Sequence, residues 1–374
     1  MEVWSFHLPT RVVFGEGCLD RIFSVVDSFK PSRIMLVTGR KSMRESGVTG
    51  RIINYLEGYQ VVVYDKVVGN PTNGTVEDGI QFLKDEGCDL VIGLGGGSVV
   101  DTAKAISLLS KNPSSVDDYL SEKREIVNRK LPLIAIPTTA GTGSEVTQYA
   151  SIIDERKKRK ISLTHEYIYP DVAIVDPVLT VAVPKFITAI TGLDALSQCI
   201  EAYWSKLHTP ISDIFALNGI KLIFENLKKA FIFQNIESKK NMALASLFSG
   251  VAIGIARTTI VHSVSYPLTT HFNIPHGLAC SLTLPSFIRY NAEVVADKIS
   301  NIARIIGADT IEELIKRVEN LISDLELPNS LSDVGVKEED IEVIVKEGFR
   351  PDRAENNPRK VREEDLKGIL MSIL

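Results

Sequence analysis

Short apolar runs alternate with amphipathic stretches through the first half of the chain. The runs are rich in Val, Ile and Leu, Gly or Pro closely follows most of them, and they cover 33–39, 60–65, 88–98, 131–139 and 170–177. Runs that are apolar on both faces are typical of parallel strands covered by helices. The stretches 45–58 and 74–86 have the length and spacing of such helices. The pattern predicts a doubly wound α/β domain, with a strand from the first residues onward.

The second half of the chain carries its apolar positions at helical spacing. Beyond about residue 183 no clear strand pattern remains. We therefore expect two domains, an α/β domain over 1–183 and an all-helical domain over 184–374. Because ligands often bind where domains meet, the expected ligand site is the cleft between them.

The composition is that of a soluble globular protein, with 374 residues, 44% hydrophobic and 24% charged, and a formal net charge of −5. This charge gives no reason to expect nucleic acid or an anionic membrane as a partner. No apolar run is long enough for a transmembrane helix, and the N-terminus lacks the order of a signal peptide. The four cysteines have no C-x-x-C spacing, which argues against disulfides and against a thiolate zinc site. We expect a cytoplasmic protein.

A glycine-rich turn, GLGGGSVVDTAK at 93–104, follows a predicted strand and opens a helix. Backbone N–H groups at a helix start bind phosphate well, and glycines let a pyrophosphate come close. Ser98 and Asp101 stand three residues apart, as in a capping box. A tight turn without a ligand would look the same. The turn also follows the third predicted α/β strand, whereas the ordinary dinucleotide fold has it after the first.

A second polar loop, PTTAGTGSEVT at 137–147, follows the next strand. Two such loops at the carboxyl ends of strands in one sheet favour a nucleotide site over two surface turns. The strand 33–39 leads into Gly39, Arg40 and Lys41, where an NAD site often has an acidic residue. The glycine removes the repulsion and the two cations would bind a 2′-phosphate, which favours NADP(H). The alternative is that Arg40 and Lys41 are ordinary solvated charges.

Residues 191–205, TGLDALSQCIEAYWS, read as a helix with a polar stripe on one face. Asp194, Gln198, Glu201 and Ser205 fall at the spacing of that stripe. An amphipathic helix that shows this face to solvent explains the stripe. A metal site that uses the carboxylate explains it as well.

Two histidines, His262 and His276, frame a later segment, and His276 stands at a predicted helix start after an irregular stretch. An aspartate with two imidazoles suits Zn²⁺ or Fe²⁺ and is poorly suited to Mg²⁺. His271 lies between them and is interpreted as a packed or capping residue. Spacing alone does not bring these side chains together.

Four segments, GGGSVVDTAK, PTTAGTGSEVT, GLDALSQCIEAYWS and VHSVSYPLTTHFNIPHGLACSLTLP, resemble those of the iron-containing (group III) alcohol dehydrogenases. The resemblance extends from the first strands to NNPRK at 356–360. It implies a Rossmann-like N-terminal domain and an all-helical C-terminal domain, which is the dehydroquinate synthase-like architecture. It also implies a metal-dependent, NAD(P)(H)-linked alcohol dehydrogenase or aldehyde reductase that acts on a small primary alcohol or aldehyde. A homodimer formed through the N-terminal strands is implied too.

The same resemblance assigns metal ligation to Asp194, Gln198, His262 and His276. It assigns dinucleotide contacts to Gly39, Asn70, Gly96, Gly97, Ser98, Thr138, Thr139, Thr142, Lys160 and Leu179. In this family a glycine at the position of Gly39 goes with NADP(H) and an aspartate with NAD, so NADP(H) is favoured and NAD(H) stays open. Tyr266 stands where many members have a further histidine, which makes it a proton-relay candidate by position; a packed aromatic is the alternative.

Gln198 departs from the family, which has a histidine there, and it leaves three hypotheses open. Asp194, His262 and His276 hold Zn²⁺ or Fe²⁺ without it; or it completes a weakened iron site; or metal is absent and hydride transfer is slow or lost. A nucleotide-binding pseudoenzyme with a degraded metal site is therefore one alternative function. A dehydroquinate synthase-like lyase and a phosphopolyol dehydrogenase are less favoured, because no Lys/Arg cluster for a phosphate-bearing substrate is apparent near 262–276.

Overall fold

The computed structural model describes residues 3–157 and 159–374. Within them the strands are β1 (Arg11–Phe14), β2 (Arg33–Gly39), β3 (Gln60–Val67), β4 (Leu90–Gly95), β5 (Leu133–Pro137), β6 (Tyr149–Asp154), β7 (Arg159–Thr164) and β8 (Val172–Val175).

Six of these strands form one parallel sheet in the order β1-β8-β5-β4-β2-β3. In register, Leu36 of β2 pairs with Val63 of β3 and with Ile92 of β4. Leu36 belongs to the core on one face of the sheet, and its neighbours Met35 and Val37 belong to the core on the other. The sheet is therefore covered on both faces, as its apolar runs predict. Strands β6 and β7 form a separate antiparallel pair.

The helices of the first half are α1 (Ile22–Asp27), α2 (Ser42–Glu45), α3 (Val48–Tyr55), α4 (Asn73–Asp85), α5 (Gly97–Leu109) and α6 (Val116–Leu120). Those of the second half are α7 (Lys185–Trp204), α8 (Pro210–Ile232), α9 (Ile236–Ala256), α10 (Ile260–Phe272), α11 (His276–Ile305), α12 (Ile311–Asp324), α13 (Ile341–Gly348), α14 (Pro351–Ala354) and α15 (Glu363–Ser372). Helix α11 is bent at Val295, whose φ of −131° and ψ of 38° are not helical.

The chain forms two compact units. The α/β unit comprises 7–139 and 144–181, and the helical unit comprises residues up to 6, 140–143 and 182–374. The short segment 140–143 thus belongs to the helical unit, although the residues on both sides of it belong to the α/β unit. The division into domains at 183/184 stays a prediction.

The predicted fold class is confirmed, with a parallel sheet and its helices first and an all-helical part after it. One strand was placed wrongly, because β1 begins only at Arg11 and not at the first residues. The hairpin of β6 and β7 was not predicted.

A membrane span was not expected, and no single helix of the described residues has the length and hydrophobicity for one. Helices α9 and α10 reach that composition only when they are taken together, and they are bent by 110° to one another.

Candidate functional site

The polar stripe of α7 is buried. Asp194 and Gln198 are 3% and 4% exposed, and Glu201 and Ser205 are fully buried. The interpretation of this stripe as a solvent-exposed face is therefore wrong. Since a buried carboxylate needs hydrogen bonds or a cation, each of these groups requires a partner.

Glu201 supplies the partner for the start of α10. Its Oε1 accepts hydrogen bonds from the backbone N–H of Thr259 at 2.9 Å and of Val261 at 3.0 Å. The carboxylate therefore caps α10 and lies at the positive end of its dipole. Its Oε2 accepts a hydrogen bond from Nδ1 of His262. This bond keeps the proton of the neutral imidazole on Nδ1 and leaves the lone pair on Nε2, as in metal sites where a carboxylate orients a histidine ligand.

The same pair shifts each other's pKa. Burial works against a charged His262, but Cys280 and Glu201 outweigh it, and the pKa of His262 is raised well above its usual range. Burial likewise opposes the charged form of Glu201, yet His262 and the donors of Thr259 lower the pKa of that carboxyl. Glu201 is thus held as a carboxylate.

His276 begins α11 and is oriented by Ser265. The Ser265 hydroxyl donates its one proton to the carbonyl of His262 at 2.7 Å. Ser265 Oγ must then accept the 3.1 Å bond from Nδ1 of His276, so in the neutral imidazole the lone pair of His276 is on Nε2. The next residue, Gly277, lets α11 start close to α7, because a Cβ atom there would lie 1.9 Å from the carbonyl oxygen of Ile190.

These helices bring two polar atoms together without hydrogen-bond partners. Oδ1 of Asp194 and Nε2 of His262 lie 3.5 Å apart, both are buried, and neither has a hydrogen-bond partner among the described residues. Nε2 of His276 lies 3.8 Å from the same Oδ1. Orphaned buried groups of this kind are rare, and a carboxylate oxygen with imidazole nitrogens is a donor set that suits a divalent transition metal. The residues therefore fit a metal ion.

Cys280 belongs to this cluster as well, and the sequence analysis missed it. The ligand atoms of Asp194, His262, His276 and Cys280 all lie within 4.8 Å of one another. The signal was present, because Cys280 follows His276 by four residues and therefore lies on the same face of α11. Absence of C-x-x-C spacing did not exclude a thiol at this site.

Gln198 faces Asp194 with its amide nitrogen. Nε2 of Gln198 donates to Oδ2 of Asp194 at 3.2 Å, and Oε1 accepts from the hydroxyl of Ser249 at 2.9 Å. This orientation of the amide follows from the chemistry, since two oxygens would otherwise face each other. Gln198 thus steadies the aspartate.

Tyr266 and His271 occupy different positions relative to this cluster. The Tyr266 ring stacks on His276 with centroids 5.9 Å apart, and the guanidinium groups of Arg350 and Arg353 lie 5.3 and 5.4 Å from its centre. A cationic cluster near 262–276 is therefore present after all, and it escaped the sequence analysis because it comes from residues far along the chain. His271 lies apart, with its Nε2 2.8 Å from Oε2 of Glu347.

Most residues expected to bind the dinucleotide follow the carboxyl ends of parallel strands. Gly39 ends β2, Asn70 follows β3, Gly96, Gly97 and Ser98 follow β4, Thr138 and Thr139 follow β5, and Leu179 follows β8. The chain runs from β2 to β3 on one side of β2 and then crosses to β4 on the other side. The carboxyl ends of β2 and β4 therefore flank a topological switch point. Such a switch point is where open α/β sheets bind ligands.

Some of these residues have local contacts that explain their positions. The hydroxyl of Ser98 accepts from the backbone N–H of Asn70 at 3.3 Å. Leu179 is buried in the core of the α/β unit, and Lys160 lies within β7, paired with Ile153. Thr142 lies in segment 140–143 of the helical unit. Whether these ten residues contact a dinucleotide stays a prediction.

The expected capping box at the start of α5 is wrong. The helix begins after Gly96, which provides no side-chain cap. Asp101 instead accepts from the hydroxyl of Ser144 and from the backbone N–H of Ser151 at 2.9 Å. Asp101 therefore fixes the chain after β5 to α5.

Comparison with known proteins agrees with these features. Residues 9–177 match the family model described as iron-containing alcohol dehydrogenase, and residues 188–374 match the one for the C-terminal part of that family. The protein is an oxidoreductase of the class that acts on CH–OH groups. The chain belongs to the iron-containing alcohol dehydrogenase family, and the resemblance seen in its sequence is confirmed.

Its relatives differ in cofactor and substrate. The chain is 33% identical to the NAD-dependent methanol dehydrogenase of Bacillus methanolicus, over 99% of this chain and 100% of the relative. It is 31% identical to the NADPH-dependent butanol dehydrogenase of Clostridium saccharobutylicum, over 97% and 96%. Among solved structures, sulfoacetaldehyde reductase from Bifidobacterium kashiwanohense in complex with NAD+ matches with a TM-score of 0.95 and 33% identity, over 100% of this chain and 99% of that one.

Proposed function

We propose that the protein is a metal-dependent dehydrogenase that prefers NADP(H) and interconverts small primary alcohols and aldehydes. The observation that carries the proposal is the pair of buried, partnerless atoms, Asp194 Oδ1 and His262 Nε2, beside His276. Membership in an alcohol dehydrogenase family favours this reaction over that of a dehydroquinate synthase-like lyase.

Asp194, His262 and His276 are the residues that would hold the metal, as Zn²⁺ or Fe²⁺. When bound, the metal supplies Lewis-acid polarisation of the C–O group, and the nicotinamide gives or takes the hydride. Glu201 and Ser265 hold the two imidazoles in the tautomer that leaves Nε2 open. Gln198 occupies Oδ2 of Asp194, so that Oδ1 stays directed at the imidazoles. Burial of the aspartate and of His262 keeps water from competing for these atoms.

The preference for NADP(H) is supported by the end of β2. Gly39 has no acidic side chain that would repel a 2′-phosphate. The next residues, Arg40 and Lys41, are exposed cations that would attract one. The relatives include both NAD-dependent and NADPH-dependent enzymes, so their names do not decide the cofactor.

A cytoplasmic homodimer is part of the proposal. Strand β1 is an edge of the parallel sheet, because within the described residues it pairs only with β8. Unpaired strand edges readily accept another strand, so β1 offers a site for a second copy of the chain. Light scattering on the purified chain should give twice its mass of 41.2 kDa.

The test is oxidation of NADPH with butanal on chelator-stripped protein, before and after addition of Fe²⁺ or Zn²⁺. A short aldehyde that carries a carboxylate is tested in parallel, because two arginines lie beside Tyr266. We expect turnover to return with one of the metals. Tight NADPH binding without turnover on any short aldehyde, at either metal, would overturn the proposal.

That negative outcome would support the second candidate, a nucleotide-binding pseudoenzyme, which the departure at Gln198 suggests. Gln198→His separates the two cases further. A gain in Fe²⁺ affinity and in Fe²⁺-dependent rate would show that the glutamine weakens an iron site. No gain would favour a site that does not use position 198.

A further inference from the structure

We propose that Cys280 is a metal ligand and that the metal is held by Asp194 Oδ1, His262 Nε2, His276 Nε2 and Cys280 Sγ. Gln198 lies outside this ligand set. The inference rests on the metal site of the proposed function, and it changes the chemistry of that site from oxygen and nitrogen donors alone to a set that includes a thiolate.

The geometry supports a single ion. One ligand atom from each of the four residues lies within 4.8 Å of the other three. Cys280 is fully buried, and Asp194 and His262 are 3% and 4% exposed. A shared ion would lie beside Asp194 Oδ1 and His262 Nε2, two buried polar atoms that have no hydrogen-bond partner among the described residues. Leaving a buried polar group without a hydrogen bond is costly, so two such groups side by side point to a cation that is part of the folded protein.

Helix α11 delivers two of the four donors together. His276 is its first residue and Cys280 is one turn later, so both project from the same face. Gly277 lies between them, and its Cβ position would be 3.1 Å from Cβ of Asp194. The turn 276–280 is therefore pressed against the part of α7 that carries the carboxylate.

Gln198 cannot take the fourth place as the protein is arranged. The group that it turns towards Asp194 is its NH₂, which has no lone pair to give to a metal. Its carbonyl oxygen faces away from Asp194 Oδ2 and lies 2.9 Å from the hydroxyl of Ser249. Cys280 thus supplies the donor that position 198 lacks.

A thiolate narrows the choice of metal. Thiolate with imidazole and carboxylate is a set suited to Zn²⁺, while Mg²⁺, Ca²⁺ and Mn²⁺ prefer oxygen ligands. Binding converts the thiol to a thiolate and releases its proton to solvent. Because catalytic zinc usually has three protein ligands and an open fourth position, turnover at a four-donor site would require expansion to five ligands, which zinc can adopt during catalysis.

The experiment is zinc-edge X-ray absorption on the full-length chain, stripped with chelator and reloaded with one equivalent of Zn²⁺. We expect one sulfur at about 2.3 Å beside nitrogen and oxygen at about 2.0–2.2 Å. Cys280→Ser should remove the sulfur and weaken Zn²⁺ binding by more than about 10-fold. Cys199→Ser is the matched control, because Cys199 is also fully buried in the helical unit but is not in the cluster, and it should keep the sulfur.

The wild-type spectrum decides the matter even if Cys280→Ser does not fold. A shell of nitrogen and oxygen only would overturn the inference. Turnover measured on the same sample keeps the two proposals separate. A sulfur ligand without turnover supports the Cys280 inference and rejects the dehydrogenase. Turnover without a sulfur ligand supports the dehydrogenase and rejects the Cys280 inference. Failure to bind Zn²⁺ rejects the ligand set.

Discussion

Gly39 ends β2 at the proposed nucleotide-binding edge and leaves room for a side chain. The nearest described atom to a Cβ built there is the carbonyl oxygen of Val67 at 3.7 Å, an ordinary contact. We expect Gly39→Asp to weaken NADPH binding by at least about 10-fold, because the carboxylate would repel a 2′-phosphate. NADH binding should improve, since the same carboxylate accepts from the ribose hydroxyl. Fluorescence titration with both cofactors measures the two affinities.

Gly50→Asp is the control for this change. It adds the same charge on the exposed side of α3, where a Cβ meets no described atom within 4 Å. The ratio of the NADPH and NADH affinities should stay that of the wild type. If both variants changed that ratio equally, net charge would explain the effect and the role of Gly39 would be rejected.

Lys239 shows what an isolated buried charge does to stability. The residue is 2% exposed, and its Nζ donates to Oγ1 of Thr188 at 2.6 Å. Burial lowers the pKa of this amine to about 8. The unfolded chain therefore holds the proton up to about 10.5 while the folded chain loses it near 8, and stability rises with pH across that window.

We expect Lys239→Met to reduce this rise, because only the contribution of Lys104, whose pKa burial also lowers to about 8, would remain. The variant should also stabilise the protein at neutral pH by about 1–3 kcal/mol. Urea unfolding at several pH values measures both effects. Lys229→Met changes an exposed lysine of α8 in the same way and should leave the pH dependence as it is. Equal pH dependence in the wild type and in Lys239→Met above about pH 8 would contradict the argument.

At the scale of elements, α7 organises the site because it orients the start of α10. Glu201 accepts from Thr259 and Val261 and from the ring of His262. We expect Glu201→Gln to reduce metal affinity by about 10–100-fold, because the amide cannot serve all these donors and the His262 ring loses its orienting carboxylate. The free energy of unfolding should fall by about 1.5–3 kcal/mol. Competition with a chromophoric chelator and thermal unfolding measure the two losses.

Glu225→Gln makes the same exchange on the exposed face of α8 and should change neither quantity. Metal affinity that is equal in wild type and Glu201→Gln would mean that Glu201 only caps α10. Destabilisation without loss of affinity would have the same meaning.

The sequence predicts these elements well where periodicity dominates. The apolar runs at 33–39, 60–65 and 131–139 contain β2, most of β3 and β5. The sequence did not reveal the hairpin of β6 and β7, because β6 alternates between buried and half-buried residues and β7 is mostly half-buried. The apolar runs used here mark strands that are buried on both faces. The spacing of apolar residues is enough to predict the fold class. A half-buried strand can be recognised only when the strand that it pairs with is also known.

The site is less accessible to sequence reasoning. The sequence shows that one polar stripe contains Asp194, Gln198 and Glu201. Spacing within one helix, however, does not show whether that stripe faces solvent or packs against another helix. The neighbours are Thr259, Val261 and His262, about sixty residues away. Such pairings depend on how helices pack, which periodicity does not specify.

At the scale of the whole molecule, the chain crosses between its two units at the loop after β5. Thr138 and Thr139 belong to the α/β unit, and the next four residues, 140–143, belong to the helical unit. Gly141 and Gly143 pack tightly against the helical unit, since a Cβ atom at Gly141 would lie 2.6 Å from Thr191 and one at Gly143 would lie 2.4 Å from Gly250. Segment 140–143 therefore packs with the helices, although it lies between strands of the α/β unit in the chain.

Gly143→Ala tests this view of the molecule. The φ of Gly143 is +58°, and its Cβ would also meet the carbonyl oxygen of Ser246 at 2.7 Å, so the variant suffers both backbone strain and overpacking. We expect a loss of about 2–5 kcal/mol in the free energy of unfolding. Gly335→Ala, with φ of +87° and no described atom within 4 Å, isolates the strain and should cost about 1–2 kcal/mol. Urea unfolding of both variants gives the difference. Equal losses would mean that the close approach of Gly143 to Gly250 and Ser246 adds nothing to the backbone strain, which would contradict the tight packing of segment 140–143 against the helices.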